Sequence, residues 1–100
     1  MAFRHVVVWR IGIDDIVLRE QAVRGLAGRL EALVGVVPGL ISATASPNTV
    51  PVEGNWDMAL VADFVDEEAL SKYNVDPDHL EVAKDIRAIA TARASADFPI

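Results

Sequence analysis

The segment FRHVVVWRI, Phe3 to Ile11, opens the chain with a period of two. Its odd positions are Phe3, His5, Val7, Trp9 and Ile11, and its even positions are Arg4, Val6, Val8 and Arg10. Alternation among β-branched and aromatic residues predicts a strand, and apolar centres on both faces predict burial on both sides. The period then changes. From about Val17 to Val34, Val23, Leu26, Leu30 and Leu33 recur three and four residues apart, predicting an amphipathic helix that Asp14 or Asp15 can cap. Gly25 and Gly28 fall inside it, where a missing side chain would let the helix approach a sheet closely. VPGL turns the chain, LISATAS predicts a second strand, and PNTVPVEGN is a loop by composition. WDMALVADF predicts a third strand with Trp56, Met58, Leu60, Ala62 and Phe64 on one face. Asp66 is placed to cap a short helix reaching Tyr73, a further helix is expected from Pro77 to about Ala90, and TARASADF predicts the last strand.

This order, β-α-β-β-α-α-β in a single domain spanning residues 1–100, predicts an α+β, ferredoxin-like subunit. Four antiparallel strands would carry the helices on one face. The other face would be left bare, and the small residues Ala59 and Val61 suit the side beneath a helix. Phe3, Val7, Trp9, Ile11, Met58, Leu60 and Phe64 would then form an apolar patch too large for a monomer. Two subunits pressing these faces together would make a homodimeric α/β barrel with a shared interior.

Composition narrows the function. Fifteen acidic residues against nine basic ones give a formal net charge of −6, unsuited to a phosphate backbone and so to nucleic acid. There is no cysteine, which excludes disulfides, thiolate metal sites and cysteine nucleophiles. Arg4 and Arg10 interrupt the first apolar stretch, so no signal-peptide core is expected. The uncharged run from Ala32 to Val52 contains Pro38, Pro47 and Pro51, which argues against a membrane helix. The expectation is a soluble, cytoplasmic protein.

Candidate chemistry lies in LSKYNVDPDHLEV, Leu70 to Val82, which holds the single tyrosine and one of the two histidines. On one continuous helix, six residues turn through about 600° and would separate Tyr73 from His79. Pro77 breaks that continuity, with Asp76 as N-cap and Pro77 at the first helical position. The bend allows the two side chains to meet. His79, Ala83, Ile86 and Ala90 share a face, which points His79 toward the sheet. One reading is a pair lining a cavity, with His79 as general base and Tyr73 as hydrogen-bond donor to a developing oxyanion. The other is two separate packing residues. The helix dipole favours a neutral imidazole, whereas Asp76, Asp78 and Glu81 favour the protonated one.

HVVVWR, VPGL, DMALVADFVDEEALSKY and DPDHLEV together resemble the stress-responsive dimeric α/β-barrel family, Dabb, from His5 to about Phe98. The family pattern of an aromatic, a short acidic helix, Tyr, two residues and His-Pro-x-His is met by Phe64, Tyr73, Pro77 and His79. Asp76 stands where the pattern has its first histidine, and His5 matches the histidine usual in the first strand. The resemblance implies a ferredoxin-like subunit in a barrel-forming dimer. One branch that the chain resembles contains polyketide cyclases, in which the positions of Tyr73 and His79 line the active cavity.

His5, Val7, Trp9, Met58 and Leu60 would line the barrel interior and are the expected substrate contacts. Trp9 and Trp56 are also suited to core or interface packing. No HxH or HExxH spacing supports a metal, no glycine-rich phosphate loop occurs, and no cofactor is expected. The function expected is a cofactor-free cyclase or lyase acting on a small carbonyl or phenolic ligand. A non-catalytic ligand-binding or stress-associated dimer, and a cofactor-independent monooxygenase, are the alternatives.

Overall fold

A computed structural model describes every residue from Met1 to Ile100. The chain runs β1 (Phe3–Ile11), α1 (Ile16–Glu31), β2 (Leu40–Pro47), β3 (Met58–Phe64), α2 (Glu67–Tyr73), α3 (Pro77–Ile89) and β4 (Ala90–Pro99). The strands form one sheet in the order β2-β3-β1-β4 with every neighbour antiparallel, the ferredoxin-like arrangement expected from the sequence. Phe3 lies opposite Phe64 and Trp9 opposite Met58 on one side of β1, while His5 lies opposite Asp97 and Trp9 opposite Arg93 on the other.

Each helix begins where a carboxylate can accept from the first turn. Asp15 accepts from the Leu18 amide at 3.0 Å, Asp66 from the Ala69 amide at 2.8 Å, and Asp76 from the Asp78 amide at 2.8 Å. Pro77 adds no unsatisfied donor at the start of α3. The turn after α1 depends on Gly39, whose φ of +82° is rarely open to an L side chain. A Cβ there would also come within 2.6 Å of the Ala69 Cβ. Gly39 therefore lets the entry to β2 pass against α2. Gly25 and Gly28 have no such role: both are exposed, with nothing within 4 Å of an added Cβ. The expectation that they bring α1 close to the sheet is not met, because the apolar stripe of α1 runs through Val23, Leu26, Ala27 and Leu30 instead.

The faces of the sheet are reversed from the sequence expectation. Val7, Trp9, Ile11, Met58, Leu60, Ala62 and Phe64 lie beneath the helices and are buried within a single chain, Phe64 at 0 % exposure. They belong to one continuous core with Val23, Leu26 and Leu30 of α1, Leu70 of α2, and Val82 and Ile86 of α3. Side-chain volume explains the choice. Burying a side chain such as Leu or Phe is worth about 1.5–3 kcal/mol, so the larger apolar set goes where the same chain can close over it. The bare face carries the smaller set: Val6 and Val8 of β1, Ala59 and Val61 of β3, and Ala94 and Ala96 of β4. A bidentate pair crosses it, with Arg4 Nε and Nη2 donating to Asp63 at 2.8 and 3.0 Å. Trp56 lies outside β3, and the Arg10 guanidinium sits 5.0 Å from its ring centroid, so it does not share the Met58 face.

Candidate active-site cavity

The connection between α2 and α3 does what the Asp-Pro sequence allows. Tyr73 ends α2, Asp76 caps α3, and the bend between them stacks the two rings. The Tyr73 and His79 centroids are 3.9 Å apart at an interplanar angle of 29°. Tyr73 is fixed from the sheet side by Phe64, edge-on at 5.0 Å, and by His5 at 6.1 Å. His5 of β1 and Phe64 of β3 reach it because alternation aims both at the helix layer.

His5, Tyr73 and His79 border a cavity of about 280 Å³ between the sheet and the helices. His5, Trp9 and Leu60 come from the sheet, Tyr73 and His79 from the helical bend, and Arg93 from β4. Leu30 of α1 and Ala83, Ile86 and Arg87 of α3 close the rest. The cavity is internal to one chain, lying between its own layers, whereas the sequence pattern suggested a space between two sheets. Of the expected contacts, His5, Trp9 and Leu60 line it together with Tyr73 and His79. Val7 and Met58 do not: Val7 is sealed in the core, and Met58, at the far end of β3, borders a separate hollow beside Asn48 and Trp56. Larger hollows flank the 47–57 loop, but neither contains a histidine or the tyrosine.

Burial sets the protonation states. It holds the His79 imidazole below its ordinary value, opposed by the Tyr73 backbone carbonyl and Asp76 and reinforced by His5 and Arg93. The Tyr73 carbonyl favours the protonated ring while standing outside good hydrogen-bond geometry, and His79 Nδ1 is buried with no hydrogen-bond partner. Near neutral pH the ring is therefore uncharged. Burial pushes the Tyr73 phenol up to about 12, against a smaller opposing effect of Arg93, so it keeps its proton and can donate. His5 directs Nδ1 at the Asp97 carboxylate, which can only accept when ionised. Nδ1 is thus the donor, which fixes the tautomer and orientation of this ring.

Asp97, Arg87 and Arg93 were absent from the sequence expectation. A signal for two of them existed in TARASADF, where Arg93, Ser95 and Asp97 alternate with Ala92, Ala94 and Ala96. The register turns that polar set toward the side of His5 and Trp9. No group of three or more histidine or acidic side chains gathers in a way that could hold a metal ion, and no helix is long and apolar enough to cross a membrane.

Residues 3–100 match the profile of the stress responsive A/B barrel domain, Dabb. The chain belongs to this family. The Dabb chain is also similar to solved structures. A dimeric protein of unknown function with a ferredoxin-like fold from Bacteroides fragilis superposes with a TM-score of 0.88 at 20% identity, covering 99% of this chain and 96% of that one. A dimeric ferredoxin-like protein of unknown function from Thermobifida fusca gives 0.84 at 24% identity, covering 100% and 92%. A hydroxynitrile lyase from Passiflora edulis gives 0.80 at 14% identity, covering 99% and 93%. No curated protein matches the sequence. At these identities the likeness is one of fold.

Proposed function

We propose that this Dabb chain acts as a homodimer whose subunits each bind a small carbonyl compound in the internal cavity and carry out cofactor-free proton transfer on it, in a reaction of cyclase or lyase type. The observation that carries this reading is the His79 ring, uncharged, stacked on Tyr73 and lining the cavity beside it. His79 takes a proton from the carbon next to the carbonyl. Tyr73 donates a hydrogen bond to the oxygen, where negative charge builds. The two groups divide the work because burial moves their pKa values apart, leaving one neutral base and one neutral donor. His5, held by Asp97, supports the Tyr73 edge without reacting. The dimeric neighbours and the small apolar set on the bare sheet face support the homodimer, and the lyase among the neighbours is compatible with the reaction class.

The reading is tested by deuterium exchange into the methyl group of small aryl ketones in D₂O, followed by proton NMR. The wild-type protein is expected to accelerate exchange, His79→Ala to abolish the acceleration while remaining folded, and Tyr73→Phe to lower it by about 10²-fold, as for loss of one oxyanion donor. Wild-type exchange that persists in His79→Ala excludes His79 as the base. Tight ketone binding without exchange assigns the cavity to a non-catalytic carrier.

A further inference from the structure

We infer that the cavity selects ligands carrying a carboxylate, held by Arg87 and Arg93, so that the substrate class is a small apolar acid with its reacting carbonyl at the Tyr73–His79 pair. The inference deepens the proposed function and rests on the same cavity being the ligand site.

The argument starts from how the chain uses its cations. Nine basic side chains face fifteen acidic ones, so each has carboxylates to choose from. Six take one: Arg4 pairs with Asp63, Arg19 with Asp57, Arg24 with Glu20, Arg29 with Asp85, Lys72 with Glu68 and Lys84 with Glu81. A seventh, Arg10, lies over the Trp56 ring. The remaining two, Arg87 and Arg93, have no carboxylate partner, and both line the cavity that holds His79 and Tyr73. The hydrogen bond found for an Arg93 guanidinium nitrogen goes to the neutral Ser95 hydroxyl at 3.3 Å. The one carboxylate on this side of β4, Asp97, is engaged by His5. In a chain with formal net charge −6, two uncommitted guanidinium groups on one small cavity are a local reversal of charge.

Their position defines the ligand. Arg87 lies two turns beyond His79 on the same face of α3, and Arg93 lies opposite Trp9 in the sheet register. Both are exposed, whereas Trp9, Leu30, Leu60 and Ile86 are buried. The lining therefore changes from apolar and aromatic to cationic toward solvent. A molecule that fits has an apolar or aryl body and an anionic group at the outer end. Guanidinium groups match a carboxylate in geometry as well as charge. A volume of about 280 Å³ restricts the body to a compact one.

The test compares 4-acetylbenzoate with 4-acetylbenzamide, which share the aryl ketone and differ in charge, by calorimetric titration of the full chain at low salt. The acid is expected to bind at least tenfold more tightly than the amide. Arg93→Gln and Arg87→Gln are each expected to lower that ratio while leaving amide affinity unchanged. Raising the salt to 0.5 M should narrow the ratio in the wild type, since exposed charges are screened. Equal affinities, binding of neither compound, or a ratio untouched by both substitutions overturns the inference. Weakened dimerisation in Arg93→Gln with an unchanged ratio also overturns it, by assigning the guanidinium to a subunit contact. Failure of the proposed chemistry reads differently: deuterium exchange is absent, yet the acid-over-amide ratio stands, and it persists in His79→Ala.

Discussion

At the scale of single residues, position 76 and position 79 separate two kinds of contribution. Asp76 acts through its oxygen, which accepts from the Asp78 amide at 2.8 Å and more weakly from the His79 amide at 3.4 Å. Asp76→Ala should destabilise the chain by about 1 kcal/mol and Asp76→Asn by a few tenths at most. Equal losses in denaturant unfolding would show that charge, rather than capping, is the contribution. His79 acts through its protonation state. Its pKa is lower in the folded chain than in the unfolded one, because burial disfavours the charged ring. The unfolded chain therefore binds more protons between the folded value and about 6.5. The His79 contribution to stability is fully present above about pH 6.5 and is lost as pH falls through the folded pKa. His79→Gln should remove that part of the acid slope and leave stability above pH 7 unaffected by proton uptake. An unchanged slope between pH 7 and 5 would refute a depressed His79 pKa. Under the proposed function, in which His79 is the base, turnover should fall as pH drops through the same folded pKa.

At the scale of elements, the sequence was legible wherever local chemistry and periodicity agreed. Asp15, Asp66 and Asp76 mark helix starts by their own hydrogen bonds, and Pro77 fixes the bend, so the Tyr73–His79 meeting could be read from about ten residues. Glycine was harder to read, because its role depends on neighbours distant in sequence. Gly39 meets Ala69, thirty positions away, whereas Gly25 and Gly28 meet nothing. The contrast is measurable. Gly25→Ala and Gly28→Ala should each stabilise α1 by about 0.5–1 kcal/mol, since an exposed helix interior favours Ala. Gly39→Ala should destabilise by more than 1 kcal/mol, through both its positive φ and the 2.6 Å approach to Ala69. Thermal melts of the three variants decide this, and a stabilised Gly39→Ala would show that the turn adopts another backbone. The cavity lining was legible in part. Alternation put His5, Trp9 and Leu60 on one face, and all three border the cavity beneath the helices. It could not show that Arg87 and Arg93 would share their cavity, because that follows from α3 returning over β4.

At the scale of the whole molecule, alternation determines which residues share a face but not which face the helices cover. Volume decides that, and it places Trp9, Leu60 and Phe64 inside the subunit. Trp9→Asp or Leu60→Asp should consequently unfold the monomer itself, so neither substitution can test assembly. The residues that can are on the bare face, where Val61 is 38 % exposed and is flanked by Val6 in the sheet register. Alanines at 59, 94 and 96 keep that face shallow enough for two sheets to approach closely, at about the 10 Å spacing of packed sheets. Val61→Asp adds a charge there without touching the core beneath the helices. If two subunits pair through this face, the substitution places two unpaired carboxylates in the interface and should yield folded monomers, with the far-UV spectrum retained and the sedimentation mass halved. Arg4 and Asp63 already satisfy one another on that face and should tolerate burial as a pair, whereas Asp63→Ala strands the guanidinium and should weaken the dimer. A Val61→Asp protein that remains dimeric at micromolar concentration would move the interface elsewhere. The cavity lies on the opposite side of the sheet, so its ligand preference should survive in the monomeric variant, and a preference lost on dissociation would show that the site needs the partner subunit.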